Sequence, residues 1–283
     1  MTNVSASYYL GSLQLRVVAD GTMWMDPRRV LPEASEEEFA RWTTPDAAGE
    51  YAMSVQSLVL ESHGKTILID TGYGTRILRP GRRDVGHLLE NLNSLGIRPD
   101  MIDVVINTHA HTDHVGWNTY DQNNSTHLTF PRATYYMLDE EYEHYTRPEQ
   151  IAENPTLEYT LVPLRNSGHL ELAQDGTQIT PEVRIFRSPG HTAGHICVAI
   201  TSGAETAVFL GDLTHHPAEI THPEWTAAFD ALPQTLRETR QKLIREAAEK
   251  DLLLITAHHV FPGAGRVVGA SGSYQWRDEP ARS

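Results

Sequence analysis

The sequence predicts an α/β protein in which β-sheets form the inner layers and helices cover them. Short apolar and β-branched runs bounded by turn residues recur along the chain and predict buried strands. Two segments instead carry leucines at helical spacing, Leu88–Leu95 and Leu232–Ala247, and predict amphipathic helices. Histidines and aspartates follow several of the predicted strands, which is typical of a functional site at one edge of a layered α/β fold.

The predicted strands follow one another along most of the chain. They are Tyr8–Val18, Val55–Glu61, Thr66–Asp70, Asp103–Asn107, Val183–Arg187, Ile196–Thr201, Thr206–Leu210, Leu252–Ile255 and an edge strand at Arg266–Gln275. The segment at about residues 20–53 has no clear periodicity, and it predicts an irregular loop over or near the active site. No internal repeat or long linker divides the chain, so we expect residues 1–283 to form a single domain.

Composition and charge exclude several classes of protein. Of the 283 residues, 40% are hydrophobic and 21% are charged, which excludes a disordered or low-complexity chain. The 37 acidic and 23 basic residues give a net charge of −14, so we expect neither nucleic acid nor a membrane as a partner. Every apolar run is shorter than the roughly 18 residues of a membrane span. The N-terminus shows no secretory signal, and a cytoplasmic location is expected.

The histidines are the most informative residues. Nine of the 15 fall in four short segments, and such clustering indicates metal binding rather than isolated structural histidines. The segments contain His109, His111 and His114; His191 and His195; His215 and His216; and His258 and His259. A single cysteine, Cys197, excludes a cysteine-based zinc site, so we expect imidazole and carboxylate ligands.

The first segment, Thr108–His114, directly follows a predicted buried strand. In an extended loop, side chains two residues apart point the same way, so His109 and His111 can share one metal ion. Asp113 and His114 lie at the turn into a following helix, point elsewhere and can serve a second metal ion. Four ligand-type side chains within six residues therefore predict a metal site rather than an ordinary polar loop.

The other three segments also follow predicted strands. His191, Asp212 and His258 stand just after the ends of three different apolar runs. Loops at strand ends are held by a rigid sheet and are the usual place for ligands in layered α/β proteins. Two glycines beside these residues, Gly190 and Gly211, allow tight turns and close approach of the backbone. We therefore expect all four segments to meet at one site.

Together, the motifs resemble those of the metallo-β-lactamase-fold hydrolase superfamily. Its His-x-His-x-Asp-His signature corresponds to His109–His114, and its Gly-His-Thr-x-Gly-His context surrounds His191. Its Gly-Asp aspartate matches Asp212. Its last histidine precedes a Pro-Gly-x-Gly turn, and His258 fits that spacing better than His259. The resemblance extends over most of the chain and is greatest to the lactonase and organophosphate-hydrolase-like branch.

This resemblance implies an αββα sandwich with a dinuclear site at its edge. The implied ligands are His109, His111 and His191 for the first metal, Asp113, His114 and His258 for the second, and Asp212 as the bridge. Such ligands suit two Zn²⁺ per chain best, and iron, manganese or cobalt are alternatives. Asp70, in an Asp-Thr-Gly motif, is expected to orient a ligand histidine, with a turn cap as the alternative. His195 is expected to be structural.

The implied reaction is hydrolysis of an ester-like bond in a small-molecule substrate, with a lactone or a carboxylic ester as the first candidates. The implied nucleophile is a hydroxide that bridges the metals. Asp113 would carry a proton to the leaving group. His215, three residues after Asp212, would face the substrate where similar lactonases have a tyrosine. A phosphotriesterase or a thioesterase on the same site is one alternative. A mononuclear iron oxidoreductase of the sulfur dioxygenase type, which uses only the first ligand set and the aspartate, is the alternative from another class.

Large apolar residues near these motifs are candidates for the substrate pocket. Trp117, three residues after His114, is expected to be the best placed of them. Trp24, Met25 and Trp42 are further candidates in the N-terminal segment. The alternative for Trp24 and Trp42 is packing under the N-terminal loop or in a dimer interface, so a homodimer is also considered.

Overall fold

Two β-sheets pack face to face and helices cover the outer face of each, so the fold is an αββα sandwich. The computed structural model describes residues 4–42, 44–76, 83–270 and 272–282, and of Trp42 it describes the backbone alone. This architecture confirms the fold class expected from the sequence. None of the helices in these ranges is long and apolar enough to cross a membrane.

The first sheet is mixed, with antiparallel strands on one side and parallel strands on the other. Its strands are β1 (Ser5–Leu10), β2 (Leu13–Met25), β3 (Tyr51–Ser62), β4 (Lys65–Ile69), β5 (Arg83–Asp84), β6 (Val104–Ile106), β9 (Thr134–Leu138) and β10 (Leu170–Ala173). Within the described ranges their spatial order is β1-β2-β3-β4-β6-β9-β10, and β5 pairs with β2. The parallel pairs are β4 with β6, β6 with β9, and β9 with β10.

The second sheet keeps the order of the chain. Its strands are β11 (Val183–Arg187), β12 (Ile196–Ser202), β13 (Glu205–Phe209), β14 (Leu253–Ile255), β15 (Ala264–Ala270) and β16 (Ser273–Asp278). β13 and β14 are parallel, and the other neighbours are antiparallel. Two further strands, β7 (Thr119–Gln122) and β8 (Ser125–Leu128), form a separate hairpin.

The helices lie outside the sheets or in the connections between strands. They are α1 (Pro27–Val30), α2 (Glu36–Trp42), α3 (Leu88–Ser94), α4 (Thr112–Val115), α5 (Asp139–Tyr145), α6 (Pro148–Glu153), α7 (Thr156–Thr160), α8 (Val162–Ser167), α9 (Ala218–Thr221) and α10 (Pro233–Lys250). Short 3₁₀ turns occupy Pro99–Met101, Gly116–Asn118 and Gly211–Leu213.

The main apolar core lies between the sheets, because strand alternation turns every second side chain to the same face. Leu58 and Val104 of the first sheet belong to one buried cluster with Val198, Phe209 and Ile255 of the second. Full burial of such a side chain stabilises the fold by about 1.5–3 kcal/mol. This cluster of buried side chains between the sheets therefore holds the two sheets together.

Helices cover the two outer faces. Val105 of β6 packs in one cluster with Leu92 of α3. On the other side, Leu254 of β14 packs with Leu236 and Leu243 of α10, which lie two turns apart on one helix face. Because helices and the opposing sheet cover both faces of each sheet, a functional site can form only on the loops at the ends of the strands.

The segment at about residues 20–53 is not irregular throughout, which corrects the sequence prediction. β2 continues to Met25 and β3 begins at Tyr51, so strands occupy both ends of the segment. Asp20-Gly21 resembles a turn signal, but the register with β3 shifts there and forms a β-bulge. A Cβ at Gly21 would lie 1.9 Å from the carbonyl oxygen of Asp84, so glycine is required where β5 pairs with β2.

A buried ion pair joins α10 to the loop after β13. Arg240 Nη2 lies 2.8 Å from Glu219 Oε1, and Arg240 Nε donates to the carbonyl oxygen of Leu213 at 2.8 Å. Glu219 Oε2 accepts hydrogen bonds from the backbone N–H groups of His215 and His216. Burial would raise the pKa of Glu219, but Arg240 and the bonds to His215 lower it to about 2. The pair thus fixes the conformation of this loop.

Replacing Glu219→Gln should lower the free energy of unfolding at neutral pH by about 3–5 kcal/mol, because the buried Arg240 charge loses its partner. The pKa of Glu219 in the folded protein lies below its ordinary value of 4.5, so its contribution is complete above about pH 4.5 and disappears as the pH falls toward about 2. The advantage of the wild type should therefore shrink by about 1.4 kcal/mol per pH unit in that window.

Urea unfolding of both proteins between neutral pH and about pH 3 measures this difference. The matched control is Glu246→Gln, which removes an exposed pair with Lys250 and should change stability by less than about 1 kcal/mol. A difference between wild type and Glu219→Gln that is the same at every pH would contradict the assignment.

Candidate metal centre

Four loops carry the seven predicted ligands to one edge of the sandwich, and each loop follows a strand. The loop after β6 carries residues 109–114, and the loop after β11 carries His191. Asp212 follows β13 and His258 follows β14. Because β13 and β14 are parallel neighbours, their carboxyl ends meet at the same edge. The structure brings all seven side chains together there, in two adjacent groups.

The first group contains three histidines and one aspartate. The ligand atoms of His109, His111, His191 and Asp212 all lie within 4.8 Å of one another. His191 Nε2 lies 2.9 Å from His111 Nδ1 and 3.1 Å from Asp212 Oδ2. His109 Nε2 lies 3.7 Å from the same carboxylate oxygen. Three imidazole nitrogens and one oxygen therefore face a common point.

The second group contains Asp113, His114 and His258, whose ligand atoms also lie within 4.8 Å of one another. Asp113 Oδ2 lies 3.5 Å from His258 Nε2. Asp212 Oδ1 lies 3.0 Å from His114 Nε2 and 3.1 Å from His258 Nε2. Asp212 thus turns one carboxylate oxygen to each group.

The chemistry of the donors fits divalent metal ions. His109 Nε2 is buried, and among the residues that the structure describes it has no hydrogen-bond partner. A buried polar atom without a partner is costly, and a cation at the common point would satisfy it. Burial lowers the pKa of His109, and it lowers that of His111 to about 3, so both rings are neutral and offer a lone pair.

Each of the five predicted ligand histidines makes a contact with its other ring nitrogen, which fixes the ring orientation and the tautomer. Asp70 Oδ2 lies 2.7 Å from His114 Nδ1. Asp230 Oδ1 lies 2.8 Å from His191 Nδ1. The remaining contacts are His258 Nδ1 to the Ser54 carbonyl oxygen at 2.8 Å, His109 Nδ1 to Thr108 Oγ1 at 3.1 Å, and His111 Nε2 to Tyr145 Oη at 3.4 Å.

Asp70 contacts the loop after β6 as well as a predicted ligand ring. Besides approaching His114, it accepts hydrogen bonds from the backbone N–H and the hydroxyl of Thr108, at 2.7 and 2.8 Å. Its φ of 58° is left-handed, a conformation that aspartate adopts more readily than most residues. One carboxylate therefore contacts a predicted ligand ring and also holds the start of the loop that carries it.

Sequence reasoning missed two supporting carboxylates, Glu141 and Asp230. Glu141, in α5, accepts hydrogen bonds from the backbone N–H groups of Ala110 and Gly194, each at 3.0 Å, and thereby ties together the loops after β6 and β11. Burial raises its pKa to about 7. No local signal distinguishes Glu141 from the other acids of its helix, and Asp230 stands in a stretch without a motif. Tertiary packing alone gives them these positions.

Two further histidines of the four histidine segments, His195 and His259, lie outside the two ligand groups. His195 Nε2 accepts a hydrogen bond from the backbone N–H of Asp212 at 3.0 Å, and its Nδ1 lies 2.8 Å from Ser188 Oγ. This placement matches the structural role expected of His195. His259 packs edge-on against Trp276, with ring centroids 4.9 Å apart, and belongs to neither ligand group.

His215 lies beside the first group. Its Nε2 lies 3.3 Å from Asp212 Oδ2, and its ring packs against Phe229 with centroids 5.0 Å apart. Burial lowers its pKa, but hydrogen bonds to Asp212 and Glu219 raise it to about 10. The ring also lines the cavity onto which both ligand groups open, so a substrate could contact it.

This cavity has a volume of about 520 Å³. Trp24 and Met25 line it, together with Met23, Met53 and Phe229. A larger cavity of about 670 Å³ lies between the second sheet and α10, and none of the seven predicted ligands lines it. The chemistry of the lining, rather than the volume, therefore identifies the candidate site.

Trp117 does not line the cavity at the ligand groups, which corrects the sequence prediction. It packs on the apolar cluster at the outer face of the first sheet and borders a different cavity. α4 ends at Val115, and the chain continues in a 3₁₀ turn that begins at Gly116. The backbone leaves helical geometry at Val115 (φ −120°, ψ 3°) and at Trp117 (φ −92°, ψ 16°), so the helical spacing that would place Trp117 on the side of His114 is lost. The side chain of Trp42 lies outside the described part of the structure.

The fold and the two groups of ligands define a metal-binding protein of the αββα class. Within that class, residues 51–258 match the profile of the metallo-beta-lactamase superfamily, and the chain belongs to this family. The family prediction from the sequence is thereby confirmed.

Over 100 residues the chain is 34% identical to metallo-beta-lactamase domain-containing protein 1 of Mus musculus. That match covers 35% of this chain and 32% of the mouse protein, about a third of its length.

Two solved structures resemble the chain over its whole length. The hydrolase AbOPH of the beta lactamase superfamily has a TM-score of 0.87 and 24% identity, and the match covers 100% of both chains. AidC, a dizinc quorum-quenching lactonase, has a TM-score of 0.83 and 23% identity, and the match covers 99% of both chains. At this level of identity the likeness shows that the fold is shared.

The position of the last ligand can be tested by metal analysis. If the chain binds two metal ions, as the sequence predicts, His258→Ala should leave about one, because it removes one of the three side chains of the second group. His259→Ala is the matched control and should keep both ions, since its ring packs against Trp276 instead. Inductively coupled plasma mass spectrometry of the purified variants gives the answer. Loss of a metal from His259→Ala alone would assign the ligand to the neighbouring position.

Proposed function

We propose that the protein is a dinuclear metal-dependent hydrolase that cleaves an ester-like bond of a small molecule, with a lactone or a carboxylic ester as the substrate. The observation that carries this proposal is the position of Asp212. Its two oxygens approach the two ligand groups, at 3.1 Å from His191 Nε2 and 3.0 Å from His114 Nε2. Two metal ions that share one carboxylate are close enough to act on the same bond.

Zinc is the metal that this ligand set favours. In the proposal, His109, His111, His191, Asp113, His114, His258 and Asp212 hold two Zn²⁺ per chain. Imidazole and carboxylate ligands without a thiolate suit zinc, and iron, manganese or cobalt would occupy the same ligands. When bound, the two ions would activate a water molecule and polarise the substrate's carbonyl oxygen. No serine or cysteine nucleophile is then required.

Two residues of the chain act on the substrate in this proposal. Asp113 lines the cavity and its side chain is 17% exposed, so it can reach a bound substrate. From the second group it would move a proton to the leaving-group oxygen. His215 lies beside the first group and would donate a hydrogen bond to the carbonyl oxygen as negative charge develops there. Asp70 and Asp230 would orient the ligand rings of His114 and His191.

The cavity supports an ester or lactone with an apolar acyl group. Met23, Trp24, Met25, Met53 and Phe229 give one part of its lining an apolar surface beside the ligand groups. AidC, which shares the fold, is described as a dizinc lactonase. A phosphotriester or a thioester could be cleaved by the same groups. A mononuclear iron oxidoreductase of the sulfur dioxygenase type would need only the first group, whereas this chain also has a complete second group.

Removal of the metals should abolish the activity. Dialysis against a chelator should stop hydrolysis, and Zn²⁺ or Co²⁺ should restore it. The assay is a panel of a lactone, an aryl ester, a phosphotriester, a thioester and a β-lactam, ranked by kcat/KM, with the lactone and the aryl ester expected to be fastest. Metal analysis should find about two zinc ions per chain. Full activity of a metal-free protein would end the proposal, and one iron per chain without esterase activity would favour the oxidoreductase.

The role of His215 is tested by His215→Ala. The variant should keep both metals, because seven other side chains complete the two groups, and its kcat should fall on the order of 10²-fold with a smaller change in KM. Steady-state kinetics and metal analysis on the same preparation measure both properties. Loss of a metal would identify His215 as a ligand instead. An unchanged rate would show that the ring only supports its loop.

A further inference from the structure

Tyr145 lies at the candidate metal centre without belonging to any of the sequence motifs. It is the last residue of α5, and its side chain lines the same cavity as the two ligand groups. Its hydroxyl oxygen lies 3.4 Å from His111 Nε2, and the two rings pack edge to face with centroids 5.9 Å apart. A phenol hydroxyl is therefore present at the border between the first ligand group and the space for a substrate.

The hydrogen bonding of His111 determines what this hydroxyl can do. His111 Nδ1 faces the first group, 2.9 Å from His191 Nε2. A neutral imidazole that binds a metal through Nδ1 carries its proton on Nε2, so Nε2 donates to the Tyr145 oxygen. The hydrogen of the phenol then needs another acceptor, and no described residue provides one. A substrate oxygen in the cavity can accept it.

The position of Tyr145 complements that of His215. The His191 ring contacts both the His111 ring and the His215 ring, with centroids 4.7 Å and 5.0 Å away. Tyr145 contacts His111, and His215 contacts His191, so both hydrogen-bond donors border the first ligand group and line the same cavity. Asp113, the proposed proton carrier to the leaving group, belongs to the second group. Because both donors border the first group, we assign them to the carbonyl oxygen of a bound ester, and Asp113 of the second group to its leaving group.

The helix that carries Tyr145 is tied to the ligand loops. Glu141 stands four residues earlier in α5, on the same face of the helix, and accepts hydrogen bonds from the backbone of Ala110 and Gly194 at 3.0 Å. Tyr142, between them in sequence, is buried and donates its hydroxyl to the carbonyl oxygen of Leu161 at 3.1 Å. These contacts hold the Tyr145 hydroxyl in a fixed place relative to the ligands, as an effective hydrogen-bond donor requires.

We propose that Tyr145 is a catalytic residue that donates a hydrogen bond from its hydroxyl to the carbonyl oxygen of the substrate as that oxygen gains negative charge. The proposal rests on the ester hydrolase activity proposed above. No bond to the tyrosine forms or breaks, and its proton stays on the phenol oxygen. In this arrangement Tyr145 and His215 share the stabilisation of one developing charge.

The test is Tyr145→Phe, which removes the hydroxyl and keeps the ring. We expect the variant to keep about two metal ions per chain and to lose kcat on the order of 10²-fold, with KM nearly unchanged. The loss should be equal for esters that share an acyl group but differ in the pKa of the leaving alcohol. A phosphonate that mimics the tetrahedral intermediate should bind more weakly by a similar factor in isothermal titration calorimetry, a measurement that does not depend on turnover.

Tyr120→Phe is the matched control, because it removes a phenol hydroxyl from an exposed position of β7 that does not line the cavity, and it should keep the wild-type kcat. Loss of a metal from Tyr145→Phe would show that the phenol only orients His111, and the proposal would be wrong. A loss of rate that grows with the pKa of the leaving alcohol would place the hydroxyl on the leaving group and would also overturn it.

The two proposals can fail separately. If the wild type cleaves no member of the substrate panel, the proposed function fails, and the phosphonate titration still decides whether Tyr145 binds a tetrahedral oxyanion. If the wild type cleaves lactones or esters and Tyr145→Phe matches it in both kcat and phosphonate affinity, the function stands and the role given to Tyr145 is wrong.

Discussion

Five imidazoles and two carboxylates share one buried edge of the sandwich, and the surrounding structure depends on how they are stabilised there. Each imidazole that turns one nitrogen to the centre needs a partner for the other, because an unsatisfied buried polar group costs about 1–3 kcal/mol. Asp70, Asp230 and the carbonyl oxygen of Ser54 approach three of the rings from three separate parts of the chain. These contacts select the nitrogen that faces each group, so the ligand atoms converge as a result of the protein fold itself.

Helices α5 and α10 fix the loops that carry the candidate ligands. Glu141 joins α5 to the backbone of two ligand loops, on the side of the first sheet. On the side of the second sheet, Arg240 of α10 reaches the loop after Asp212 through Glu219 and the carbonyl oxygen of Leu213. The edge of the sandwich is therefore braced from both faces by buried charged groups. A buried charged group is costly to leave unpaired, so these contacts stabilise one arrangement of the loops over others.

The sequence reveals those parts of the site whose pattern is local. His109 and His111 alternate within one loop, and apolar runs show where the strands before the ligand loops end, so the fold class and the ligand candidates could be predicted. Glu141 and Tyr145 approach from a distant helix, and nothing in their spacing distinguishes them from ordinary helix residues. Strand boundaries also differ from the predicted ones where a glycine changes the direction of the backbone. The predicted strand Tyr8–Val18 is divided into β1 and β2 by a turn at Gly11, whose φ of 55° breaks an otherwise continuous apolar pattern.

The bulge at Gly21 allows β2 to reach the cavity, so part of the cavity lining comes from a segment that carries no candidate metal ligand. Beyond it, β2 runs on to Met25 and presents Trp24 and Met25 to the cavity, while every candidate ligand stands on a different segment of the chain. This apolar part of the cavity lining therefore stands on a segment of the chain that carries none of the candidate metal ligands. Mutation and selection can reshape the end of this strand without disturbing metal binding, so descendants of one ancestral protein could diverge in the molecules they accept while keeping the same chemistry.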